Sequence, residues 1–169
     1  PAMGKSAALC QIADRVSEAG RVVAVFTKEM PAYQWLRRIA FRRARVNWDD
    51  YRNNRCLPDD LRRVSAEIER LSERATLFVD GSKEQTTGQV MALCARLRAE
   101  RGALDLVIAD HLRLFKDTAD NETHRLGKIS WALKRLAGEL NTRVICAAQL
   151  SRAVEGQAER RPDLKDLRD

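Results

Sequence analysis

A chain of 169 residues, 44% of them hydrophobic, can bury one core of useful size and has no room for two. No apolar run approaches the roughly 18 residues a bilayer span needs, and the start carries no signal-peptide pattern, so no membrane role and a cytoplasmic location are expected. A net charge of +7 with a pI near 9.6 fits a nucleic-acid partner. Only seven of the 31 cations are Lys. That Arg bias suits bidentate phosphate recognition, and a GC-rich genome would produce it equally well.

In chain order, the first feature is "PAMGKSAALCQIA". Gly4, Lys5 and Ser6 supply the end of a G-x-x-x-x-G-K-[ST] loop running into a helix, whose backbone N–H groups wrap phosphates while the Lys reaches the β/γ oxygens. The leading Gly would lie before Pro1, so residues 1–6 hold half a motif and the chain reads as a piece of something longer. The competing reading is an ordinary helix N-terminus, where Gly and Ser are common.

Four β-branched, apolar stretches follow at intervals: "RVVAVFT" (21–27), "ATLFVD" (75–80), "LDLVIAD" (104–110) and "TRVICAAQ" (142–149). They are apolar almost throughout rather than alternating, as expected of strands in a parallel sheet covered on both faces. Helical spacing lies between them at Leu61, Val64, Ile68 and Leu71, at Val90, Leu93, Cys94 and Leu97, and at Leu126, Ile129, Leu133, Leu136 and Leu140. The class is therefore α/β with right-handed crossovers. Within 31–55, Pro31 suits a helix start, and five Arg between 37 and 45 surround an apolar stripe of Leu36, Ile39 and Ala40. This is either a solvated helix face or a surface for phosphate or a partner. Residues 151–169 carry five cations, five anions and Pro162 with no apolar period, and read as a long charged loop.

The cysteines, Cys10, Cys56, Cys94 and Cys146, form no CxxC pair, which predicts free thiols in a reducing compartment. His111 and His124 lack further ligands nearby, so no metal site is built on them. In an open parallel sheet, ligands bind beyond the carboxyl ends of the strands. Glu29, Asp110 and Gln149 each stand at or just past such an end. With Lys5 neutralising phosphate, Ser6 binding Mg²⁺, Asp110 holding the metal's water shell and Glu29 as base, the parts of a phosphoryl-transfer site are present. Asp110 as a plain strand terminator is the alternative.

Nearly the whole chain resembles the C-terminal RecA-like ATPase domain of DnaB-type replicative helicases. "VFTKEM" is similar to that family's Phe-Ser-Leu-Glu-Met segment, and "LDLVIADHLRLF" to its Walker B strand ending Asp-Tyr-Leu-Gln-Leu. "ISWALKRLAGELNTRVICAAQLSRAVE" with "RRPDLKDLRD" resembles the following helix, strand and DNA-facing loop. The resemblance implies a RecA-like P-loop NTPase core, incomplete at both ends, in a single partial domain over 1–169. It implies ATP and Mg²⁺ as cofactors, with Met3, Gly4, Lys5, Ser6 and Ala7 on the nucleotide and Ser6 and, through water, Asp110 on the metal. It also implies Glu29 activating water and Gln149 sensing the γ-phosphate. The loop over about 151–169 is implied to face single-stranded DNA, with Arg152, Arg168 and Asp169 as contacts.

Further implications are a homo-hexamer with an arginine finger from outside this chain, and primase and a helicase loader as partners. His111, Arg113, Arg125, Trp131 and Asp169 depart from the family's usual residues and point to a divergent branch. Two other readings stay open: a catalytically silent helicase paralogue acting as a binding module, and a recombination or repair ATPase of the RecA group.

Overall fold

The structure is a computed structural model that describes residues 4–27, 30–82 and 85–148. Four strands, β1 (Val23–Thr27), β2 (Leu77–Asp80), β3 (Leu106–Asp110) and β4 (Arg143–Ala147), form a parallel sheet in the order β2-β1-β3-β4. All four sequence-predicted strands are present; each starts one or two residues later than expected, and the first three end where expected. The register pairs Val25 with Val79 and with Ile108, and Ile108 with Ile145. Every strand therefore ends on the same side of the sheet.

Apolar residues on both faces of β1 and β3 explain the uninterrupted hydrophobic runs. Val23, Val25, Leu106 and Ile108 pack on one side with α1 (Lys5–Glu18), α2 (Ala32–Ala44) and α4 (Pro58–Ser72). Ala24, Phe26, Val107 and Ala109 pack on the other with α5 (Thr87–Arg101) and α6 (Glu122–Glu139). Side chains of a strand alternate between faces, so a five-residue strand serves two cores only if nearly all of it is apolar.

Helix starts follow local chemistry. Thr86 caps α5 through Gln89 N, and Gln89 returns its side chain to Thr86 N at 2.8 Å, a capping box. Asn121 caps α6 by accepting from His124 N at 2.8 Å. Pro31 precedes α2 as expected, and a short helix not anticipated from the sequence, α3 (Trp48–Arg52), sets Trp48 and Tyr51 edge-to-face against Phe41. The stripe on α4 is narrower than its spacing suggests. Val64 and Leu71 are buried, whereas Leu61 and Ile68 are 42% and 43% exposed, because α4 packs mainly on α2 along one seam.

Cys10 and Cys94 are buried and Cys146 is half-buried, and burial pushes all three thiols up to about 12, while the Cys56 thiol is also raised, by desolvation and by the charges of Asp60 and Asp50. The reactive species is the thiolate, so at pH 8 these three are held protonated. In the native protein, only Cys56 is expected to react promptly with a thiol reagent at pH 8, and all four on denaturation. Counting thiols modified against time checks this; two or more fast native thiols would contradict it.

Candidate nucleotide site

Gly4 sits at φ +76 immediately before α1, a left-handed conformation that favours glycine. Lys5 and Ser6 open the helix. No side chain caps it, and no acidic residue lies in its first turn. The first N–H groups of a helix have no intrahelical partner, and with the helix dipole they favour an anion. Lys5 is exposed and donates from Nζ to the backbone carbonyl of Ala148 at 3.4 Å. Ala148 follows β4, whose last residue, Ala147, pairs in register with Asp110. The α1 N-terminus therefore stands over the carboxyl ends of β3 and β4.

Asp110 ends β3 beside Thr27 of β1 and is 2% exposed. Its Oδ2 is buried without a hydrogen-bond partner. An unpaired carboxylate oxygen in such a place is costly, and a strand terminator would not need that cost. It suits an acceptor waiting for the water shell of a divalent cation, and the hydroxyl of Ser6, half-buried in the first turn of α1, supplies the other ligand type that Mg²⁺ prefers. The donor set fits a magnesium–nucleotide complex. Among the described residues there is no cluster of three His, Cys, Asp or Glu for a metal held by protein alone.

Of the sequence-predicted residues, the structure brings together Gly4, Lys5, Ser6 and Asp110, with Ala7 exposed on the same first turns. Met3, Glu29, Gln149, Arg152, Arg168 and Asp169 lie outside the described residues. Ala7 and Cys10 also line a cleft of about 620 Å³ shared with α2 and α3, where the Arg37 guanidinium lies 4.2 Å from the centre of the Trp48 ring.

Sequence reasoning missed Asp14. It occupies the buried face of α1 with Leu9, Cys10, Ala13 and Ser17, and its carboxylate is 1% exposed. Arg43 Nε donates to its two oxygens at 2.9 and 3.0 Å, Arg74 Nη1 to Oδ1 at 3.1 Å, and Arg42 Nη2 to Oδ2. Arg43 Nη2 is in ion-pair contact with Asp14 at 2.7 Å and with Glu18 at 3.1 Å. Burial lowers the Arg43 pKa, but the bonds and charges of Asp14 and Glu18 outweigh it and hold the guanidinium above its ordinary value. Two of the five Arg between 37 and 45 thus serve an ion cluster around Asp14, Arg43 mostly buried and Arg42 still open to solvent. The sequence signal was an acid within an apolar helical stripe, which demands buried cations.

The DnaB-like helicase C-terminal domain family model matches residues 1–169. Among curated relatives, the replicative DNA helicase DnaB of Nostoc sp. is 36% identical over all of this chain and 19% of its own length. That of Geobacillus stearothermophilus is 31% identical over all of this chain and 38% of its own length. The chain thus spans well under half of these relatives. A solved structure of a DnaB-like replicative helicase and its interactions with primase superposes with a TM-score of 0.89 at 26% identity, over 99% of this chain and 41% of that one. The parallel sheet with helices on both faces is the RecA-like ATPase architecture of those neighbours.

Proposed function

The chain belongs to the DnaB-like helicase C-terminal domain family, and on that premise we propose that it is the motor core of an ATP-driven replicative helicase that moves along single-stranded DNA and unwinds duplex. The observation that carries this reading is the Lys5 amine over the carboxyl edge of the sheet, the edge at which a buried Asp110 keeps a carboxylate oxygen without a hydrogen-bond partner.

Each residue takes a role set by its chemistry. The α1 N-terminus and Lys5 hold the β/γ-phosphates, and Ser6 and Asp110, the latter through water, hold Mg²⁺. The bound Mg²⁺ neutralises charge that develops on the phosphate oxygens. Glu29 accepts the proton of the attacking water, and Gln149 reports the γ-phosphate to the segment that follows it. Met3 and Ala7 flank the nucleotide. Over about 151–169, Arg152, Arg168 and Asp169 meet the single-strand backbone. One such loop per subunit suffices if six subunits ring the strand, because phosphate contacts add. A hexamer, a primase and a loader as partners, and a cytoplasmic site of action belong to the same reading. Among the described residues no helix is long and apolar enough to cross a membrane.

The test is ATP turnover by the full-length gene product with and without single-stranded DNA. Stimulation by DNA is expected, and Arg168→Ala should remove most of it while leaving DNA-free turnover within about twofold. Turnover that ignores single-stranded DNA would refute the motor reading, and no turnover with or without DNA would favour a silent binding module.

A further inference from the structure

We propose that Asp14 is a positioning residue for nucleotide turnover: its ion cluster clamps α1, the helix that begins with Lys5 and Ser6, onto α2 and the chain entering β2. The inference rests on the nucleotide reading above for its functional half only.

The cluster joins elements from distant parts of the chain. Arg42 and Arg43 come from the last turn of α2, and Arg74 from the connection between α4 and β2. Arg74 Nη1 also donates to Ser17 Oγ at 3.0 Å, and Thr76 Oγ1 donates to the Ser17 carbonyl at 3.0 Å. Glu18 on α1 and Glu67 on α4 face Arg43 at 3.1 and 3.9 Å. Three carboxylates therefore meet these three guanidiniums, and the exposed Arg15 and Arg70 also reach Glu18 and Glu67 at 3.7 and 2.6 Å.

Stability is a weak reason for such a cluster. Well-packed apolar residues often replace a buried ion group without loss. Directionality is the better reason. On this side α1 also offers buried Leu9, Cys10 and Ala13, and α2 offers Trp35, Ile39, Ala40, Phe41 and Ala44. Apolar burial is not directional, whereas hydrogen bonds from three guanidiniums hold one carboxylate in one place. An α-helix is stiff, and Asp14 lies nine residues from Lys5, or about 14 Å along the axis. A shift or tilt at Asp14 therefore moves the first turn, where Lys5 stands over Ala148. Phosphate-positioning groups lose rate when displaced by as little as about 1 Å.

The experiment compares Asp14→Asn and Asp14→Glu in the full-length gene product, below the unfolding temperature of each. The clamp is read without nucleotide, by hydrogen exchange of the α1 amides from Leu9 to Ala13. Faster exchange in Asp14→Asn is expected, and unchanged exchange in both variants overturns the clamp. Its function is read by turnover. For Asp14→Asn, kcat per folded molecule is expected to fall about tenfold with KM for ATP within about twofold, and Asp14→Glu should recover most of the rate. A kcat that falls only in proportion to the folded fraction makes Asp14 merely structural and overturns the positioning role. If exchange rises but neither wild type nor variant hydrolyses ATP, the clamp stands and the ATPase reading is what has failed. Should Asp14→Asn not fold, Arg74→Gln, which removes one of the three guanidiniums from Asp14, decides by the same two readings, with faster exchange and a lower kcat expected.

Discussion

Lys5→Ala is expected to lower ATP turnover by about a hundredfold to a thousandfold, the cost of removing one preorganised group from a charge-stabilising site. Lys5 is the one residue of the half-motif that brings a full positive charge to the α1 N-terminus. The bare N–H groups of the first turn keep some affinity for phosphate, so binding should weaken less than turnover. Stability should change by no more than about 0.5 kcal/mol, because Lys5 is exposed and its hydrogen bond to Ala148 is a long one. Steady-state kinetics together with a thermal melt check both halves. Turnover within threefold of wild type would remove Lys5 from the site and, with it, the nucleotide reading.

Asp110→Asn is expected to act in opposite directions on activity and on stability. Asn is nearly isosteric with Asp, so the packing of β3 between β1 and β4 is kept. Removing the carboxylate that would hold the water shell of Mg²⁺ should lower kcat about tenfold to a hundredfold and raise the Mg²⁺ concentration needed for half-maximal rate. In the absence of Mg²⁺ and nucleotide the variant should be as stable as wild type or more so, because a buried carboxylate with an unpaired oxygen costs free energy. A functional site that is strained for its task shows this trade. Loss of stability by more than about 2 kcal/mol with turnover unchanged would make Asp110 a structural strand terminator.

Much of this molecule is determined by its sequence alone. A parallel sheet needs strands that are apolar on both faces, and "VVAVFT" and "LDLVIAD" carry that requirement in consecutive residues. The start of α1 and the Asp at the end of β3 are legible for the same reason: each is a local arrangement, read from a few adjacent positions. That Lys5 and Asp110 share one edge of the sheet is not local. It follows from β3 lying between β1 and β4, which sets Ala148 at the same edge as Asp110 and so gives the α1 N-terminus its place. The burial of Asp14 among Arg42, Arg43 and Arg74, and the exposure of Leu61 and Ile68, were also decided only by tertiary structure. Helical periodicity shows which residues share a face, but which neighbour covers that face, and how widely, depends on packing between segments far apart in the chain.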